Sequence, residues 1–159
     1  GLPPAVSAQT VSCADLAQAC AALGRDLTAP KGITFSWQTD PHPLPDRALS
    51  LDRTAFLRAA ENLLSNGVRY TPAGQTLDCG LRLTAQRLFL WVQDSGPGFS
   101  PEALARAGRG FYTGDASRPR EGHMGMGLTF ARQTARRHGG TLELSNTGRG
   151  ARAALTLPL

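Results

Sequence analysis

With 159 residues, 41% of them hydrophobic and 18% charged, the chain is long enough to bury a substantial core and too apolar to remain disordered. The 17 basic residues outweigh the 12 acidic ones to give a net charge of +5, but they are spread along the chain. Aromatics make up only 6%, so no basic patch with interleaved rings marks a nucleic-acid binder.

The basic excess reads partly as a compositional bias and partly as affinity for phosphate. No run approaches the roughly 18 consecutive apolar residues of a membrane span, and no signal peptide precedes the first polar stretch, so the chain is expected to be soluble. Cys13, Cys20 and Cys79 form no CxxC or Cys/His cluster and read as free thiols in a reducing compartment.

Residues 1–12, rich in Pro, Ala and Ser, read as a linker or a short edge strand near Thr10 and Val11, with one domain over 13–159. Over 15–27, Leu16, Ala19, Cys20, Leu23 and Leu27 recur at helical spacing. Ile33, Phe35 and Trp37 alternate with polar residues as in a half-buried strand, and the prolines of 40–45 make a loop.

Asp52 is placed to cap a helix whose apolar stripe is Phe56, Ala59, Ala60, Leu63, Leu64 and Gly67, and which ends near Tyr70 because Thr71-Pro72 and Gly74 break it. Leu77, Cys79, Leu81 and Leu83 alternate, then 88–92 is apolar throughout. The pair predicts a hairpin whose second strand is central and covered on both sides.

From Asp94 to His123 the sequence is loop-like, with a short helix over 101–107. A helix over 128–138 closes on Arg136, Arg137 and His138, which suit its negative end, before Gly139-Gly140 stops it. Two strands follow, 141–145 and 151–157, around the turn at Gly148-Arg149-Gly150. The expected fold is α+β, a two-layer sandwich of a mixed, mostly antiparallel sheet packed on helices.

Three stretches carry chemistry. Asn62, Asn66 and Arg69 share one helix face, beside the apolar stripe rather than within it. Neutral amide oxygens can ligate Mg²⁺, and a guanidinium one turn on can meet a phosphate, although an isolated NxxxN is also an ordinary polar flank. Asp94-Ser95-Gly96-Pro97-Gly98 follows the apolar strand: the carboxylate can accept from an exocyclic amine such as adenine N6, and the glycines allow close backbone approach. An ordinary turn has the same composition. The run from Gly122 to Leu128 opens a helix with free N–H groups that can cradle anions, though it lacks the preceding strand of a dinucleotide fold and the GK[ST] of a phosphate loop.

In this order and at these separations, the stretches resemble the GHKL ATPase superfamily and, within it, the histidine kinase catalytic domain with its Bergerat-type ATP-binding fold. Residues 61–72 are similar to the N box, 94–98 to the G1 box, 110–114 to the F box, 122–128 to the G2 box and 148–151 to the G3 turn. The resemblance implies Mg²⁺ and ATP as cofactors, with Asn66 as metal ligand, Asn62 in the network beside it, and Arg69 on the phosphates. It puts Tyr70 near the adenine or ribose, Asp94 on adenine N6, and Gly96, Gly98 and Phe99 in the pocket. Gly125, Met126, Gly127 and Leu128 would lie along the phosphates. Residues 100–123 would be an ATP lid that orders over nucleotide, with Arg118 and Arg120 as phosphate contacts or solvated surface, and His123 a bystander.

Gly108 stands where the family often has phenylalanine, Thr113 where it has arginine, Met124 where threonine is common, and Ala151 where threonine or serine is common. Hydrolysing branches of the superfamily carry a glutamate four residues before the metal-binding asparagine, as general base for water. Here that position is Asn62, and Glu61 points about 100° away around the helix.

The resemblance therefore implies phosphoryl transfer to a histidine on a dimerisation domain of the same protein, with a response regulator downstream and no nucleic acid. His42, His123 and His138 all lack the setting of an acceptor histidine, so the acceptor is expected outside this chain. The resemblance implies a cytoplasmic, monomeric domain of a longer protein that, as sensor kinases commonly are, could be anchored in a membrane. A catalytically degenerate nucleotide-binding interaction module and an anti-sigma-type serine kinase are the other readings, and the missing glutamate counts against the latter.

Overall fold

The computed structural model describes residues 6–107 and 124–159, with the backbone alone for 106–107 and 124–126. The F box, Arg118, Arg120, His123 and most of the expected lid lie outside the described residues.

In chain order the elements are β1 (Gln9–Ser12), α1 (Cys13–Thr28), a 3-10 turn (Ala29–Lys31), β2 (Thr34–Asp40), β3 (Ala48–Leu51), α2 (Arg53–Tyr70), β4 (Thr76–Leu83), β5 (Arg87–Gln93), α3 (Pro101–Ala107), α4 (Met124–Arg137), β6 (Thr141–Asn146) and β7 (Ala151–Pro158). Five strands form one sheet in the order β2-β4-β5-β7-β6. Among the described residues only the β2–β4 pair is parallel, and β1 and β3 make a separate antiparallel ribbon. The expected mixed, mostly antiparallel α+β sandwich is the one found.

Period-2 burial puts Leu77, Cys79 and Leu81 of β4, Leu88, Leu90 and Val92 of β5, and Ala153, Leu155 and Leu157 of β7 on one face. Onto it pack Leu16 and Cys20 of α1, Phe56, Leu63 and Leu64 of α2, and Leu128, Ala131 and Ala135 of α4. Asp52 caps α2 as its sequence predicts, its Oδ1 accepting from Ala55 N–H at 3.0 Å, and α1, which starts at Cys13, is capped by Ser12, whose Oγ accepts from Asp15 N–H at 3.3 Å. At the far end of α2, the ammonium of Lys31 donates to the carbonyls of Val68 and Arg69 at 2.8 and 3.0 Å, a cation on the negative helix end.

His138 does more than face its own helix terminus. Its Nε2 accepts the Asp52 N–H at 3.1 Å, so the proton sits on Nδ1, which donates to Thr134 O at 2.8 Å. The end of α4 is thereby pinned to the start of α2.

β5 is central, as expected, but it is not covered on both sides among the described residues. Phe89 and Trp91 point to the far face and are half-buried. The Arg82 guanidinium lies 5.9 Å from the Phe89 ring and that of Arg152 lies 5.6 Å from Trp91. The unbroken apolar run thus reflects rings shielded by arginines rather than a second layer of helices.

Candidate functional site

Two helices and two strand ends converge at the C-terminal end of β5. Asp94, the first residue past the strand, is 2% exposed. Its Oδ1 accepts the N–H groups of Gly96 and Ala151, both at 2.9 Å, and its own N–H donates to Ala151 O at 2.9 Å. Two bonds from fixed backbone orient the carboxylate, and a third ties its own backbone to β7.

The backbones around it approach too closely for side chains. A Cβ on Gly150 would stand 2.6 Å from both the carbonyl and Oδ1 of Asp94, and one on Gly96 would stand 2.6 Å from Tyr70 O. Gly98, at φ 84°, turns the chain in the left-handed region beside the Asn146 amide.

Three polar side chains to which the sequence assigned no role hold this turn: Thr71 at the end of the N box, Ser95 inside the G1 box, and Asn146, which lies in no motif. Thr71 Oγ1 accepts the Ser95 N–H at 3.2 Å, and Ser95 Oγ donates to Thr76 O at 2.6 Å. Asn146 brackets Phe99, its Oδ1 accepting the Phe99 N–H at 2.7 Å and its Nδ2 donating to Phe99 O at 2.6 Å. For Asn146 the sequence signal is a polar residue at the boundary of an apolar segment, which is common to many surface positions.

The other end of the site is built by α2 and the first turn of α4. Asn66 is 6% exposed, inside the buried side of α2 rather than beside it, because α4 packs along that flank. Its Oδ1 is buried without a hydrogen-bond partner among the described residues. Asn62, one turn earlier, is half-buried and faces α4: a Cβ on Gly127 would lie 3.5 Å from its Cβ, an ordinary contact. Arg69 is half-buried on the last turn of α2, and Tyr70 beside it is buried.

α4 begins at Met124, four residues before the expected start, so Gly125 and Gly127 fall in its first turn. Packing against α2 overrides the poor helix propensity of glycine there. The first N–H groups of a helix carry no intrahelical acceptor and form its positive end. Leu128 and Phe99 place their side chains in the core.

Asp94 and Asn66 thus differ in what they lack. A neutral, buried amide oxygen without a donor is costly unless something electropositive meets it, and a hard divalent cation prefers such oxygens. The donor set of Asn66 and Asn62, beside a helix N-terminus that attracts phosphate, therefore fits Mg²⁺ bound together with phosphate oxygens. Among the described residues no group of three or more His, Cys, Asp or Glu side chains could hold a metal by itself. A separate groove between α1, β2 and the loop after it, lined by Ala17, Trp37 and Leu44, brings together none of these residues.

The fold and this constellation define a nucleotide-binding domain, and comparison with known proteins agrees. The family model described as histidine kinase-, DNA gyrase B-, and HSP90-like ATPase matches residues 51–159, and the chain belongs to that family.

Within it, the chain is similar in sequence and fold to parts of sensor histidine kinases. It is 36% identical over 141 residues to the sensor histidine kinase SpaK of Bacillus subtilis, covering 86% of this chain and 30% of that protein. It is 37% identical over 108 residues to the sensor histidine kinase CusS of Escherichia coli, covering 67% and 22%. The chain thus spans less than a third of the length of these relatives. The catalytic domain of histidine kinase ThkA superposes with a TM-score of 0.79 over 96% of this chain and 97% of that one, at 20% identity, which speaks for the fold. Full-length ShkA in complex with AMPPNP superposes with a TM-score of 0.77 at 25% identity, over 99% of this chain and 32% of that one. Among the described residues no helix is long and apolar enough to cross a membrane.

Proposed function

We propose that this chain binds Mg·ATP and transfers its γ-phosphate to a histidine on a dimerisation domain carried outside these 159 residues, as the catalytic half of a cytoplasmic sensor kinase module that feeds a response regulator. The observation that carries the reading is the buried, unpartnered Asn66 Oδ1, one turn from an amide at position 62 rather than a carboxylate. Asn62 cannot take a proton from water, and Glu61 is exposed rather than buried with it. The site is built to hold a nucleotide without activating a hydrolytic nucleophile.

In this reading the Asp94 carboxylate, held flat by the Gly96 and Ala151 N–H groups, accepts a hydrogen bond from adenine N6. Gly96 and Gly98 leave room for the flat base, and Tyr70 backs it. Asn66, with Asn62 beside it, is the ligand for Mg²⁺, which when bound would neutralise phosphate charge. The first turn of α4, Gly125 to Gly127, receives the phosphates on backbone N–H groups, and Arg69 adds a cation.

An imidazole nitrogen of the acceptor then attacks the γ-phosphorus in line. The bond to the β,γ-bridging oxygen breaks, and ADP leaves with the electron pair. The chain contributes alignment and charge neutralisation rather than covalent chemistry.

The test mixes this chain, γ-labelled ATP and the acceptor domain of the same protein. The reading predicts label on that domain as an acid-labile, base-stable phosphoramidate, dependent on Mg²⁺. Release of inorganic phosphate from the chain alone, with none on the acceptor, would contradict it.

A further inference from the structure

β5 ends on Gln93, the residue before Asp94, on the sheet face turned away from the helices. Its neighbours on that face, Phe89 and Trp91, are half-buried, whereas Gln93 is 5% exposed. Its Nε2 donates to Asp94 O at 2.8 Å and to Ala151 O at 3.3 Å. Both partners are carbonyl oxygens, so only the NH₂ end of the amide can face them. Ala151 O also accepts the Asp94 N–H at 2.9 Å, and the Ala151 N–H reaches Asp94 Oδ1 at 2.9 Å. Gln93 therefore ties, from behind, the two strand ends whose backbone holds the Asp94 carboxylate in its plane. No motif of the nucleotide site includes it.

We propose that Gln93 is a positioning residue for base recognition. It acts through the backbone of Asp94 and Ala151, from the sheet face opposite the site, and its loss costs selectivity for adenine rather than the Mg²⁺-dependent part of binding. The inference rests on the reading of Asp94 as the adenine contact. A buried amide that clamps two carbonyls leaves both acceptors short of a donor when it is removed, and the carboxylate they frame loses its fixed plane.

The experiment titrates ADP and GDP, with and without Mg²⁺, into the full chain carrying Gln93→Leu or Gln93→Glu, at a temperature where circular dichroism shows each variant folded. Gln93→Leu should weaken ADP roughly tenfold, the scale of one buried hydrogen bond, and shrink the ADP-over-GDP preference, while the gain from Mg²⁺ is unchanged. Gln93→Glu faces two carbonyl oxygens with a carboxylate. Its ADP affinity should be low near neutral pH and recover on acidification, where the protonated acid can donate; wild type should lack that recovery. If Gln93→Leu does not fold, the pH profile of Gln93→Glu carries the test.

A lower melting temperature with an unchanged ADP-to-GDP ratio would reduce Gln93 to a structural residue and overturn the proposal. Asp94→Asn serves as the control. Should that variant lose adenine selectivity while both Gln93 variants keep it, only the positioning role fails. Retained selectivity in Asp94→Asn would overturn the base-site reading and this inference with it.

Discussion

The two ends of the site are finished to different degrees. Around Asp94 the polar atoms described are tied down: one carboxylate oxygen takes two backbone N–H groups, Thr71 holds Ser95, and Asn146 holds Phe99 on both sides. Glycines at 96 and 150 let the backbones close to distances no side chain would permit. At the other end Asn66 keeps a buried oxygen without a donor, and Gly127 leaves ordinary van der Waals room beside Asn62. A pre-organised pocket loses little entropy when a rigid base enters, whereas an unsatisfied oxygen is a standing cost that a cation relieves. On the proposed reading, the base end is complete without ligand, and the phosphate end becomes complete with it.

The largest way to break that contrast is Asp94→Asn. The amide presents an N–H₂ where a carboxylate accepted, and either the Gly96 and Ala151 donors or the base lose their partner. ADP affinity should fall roughly a hundredfold and the preference over GDP should vanish, measured by calorimetry with both nucleotides.

Next is Gly150→Ala, whose Cβ would stand 2.6 Å from Asp94 Oδ1. Overpacking of this kind costs about 1–3 kcal/mol, and here it should show both as a lower melting temperature and as weaker ADP binding.

Asn66→Leu sharpens the contrast from the opposite side. It removes an unpartnered buried oxygen at similar volume, so the ligand-free domain should be as stable as wild type or about 1 kcal/mol more stable, while the gain in nucleotide affinity on adding Mg²⁺ disappears. Denaturant unfolding and calorimetry read the two effects separately.

The smallest effect lies away from the site. Burial pushes the Cys20 thiol up to about 12 and raises that of Cys79 as well. Both should resist alkylation in the folded protein at neutral pH. Because the folded state holds these protons more tightly than the unfolded chain, their contribution to stability is intact below pH 9.0, the ordinary thiol value, and should fade as pH rises toward about 12. A thermal-melt series across that range checks the sign.

Much of this was legible in the sequence. α2 announced itself through a capping Asp52 and a stripe from Phe56 to Gly67, and the β4–β5 hairpin through alternation followed by an apolar run, because those patterns are local. β3 was not anticipated: four residues, Ala48–Leu51, become a strand only by pairing with the distant β1. The early start of α4 and the burial of Asn66 share one cause, the packing of α4 along α2, which is tertiary and leaves no periodic mark. The coverage of β5 was misjudged because shielding arginines and a second helical layer leave the same apolar run. Thr71, Gln93 and Asn146 escaped for a further reason. Each works through a single hydrogen-bonded approach between segments far apart in sequence, and residue type alone does not encode the approach.

The most direct measurement is a calorimetric titration of ADP, with and without Mg²⁺, into wild type, Asp94→Asn and Asn66→Ala. The account predicts that Asp94→Asn loses most affinity under both conditions, and that Asn66→Ala binds like wild type without Mg²⁺ but gains nothing when it is added. If Asn66→Ala keeps the full gain from Mg²⁺, or Asp94→Asn still prefers adenine, the division of the site into a finished base end and a cation-completed phosphate end is wrong.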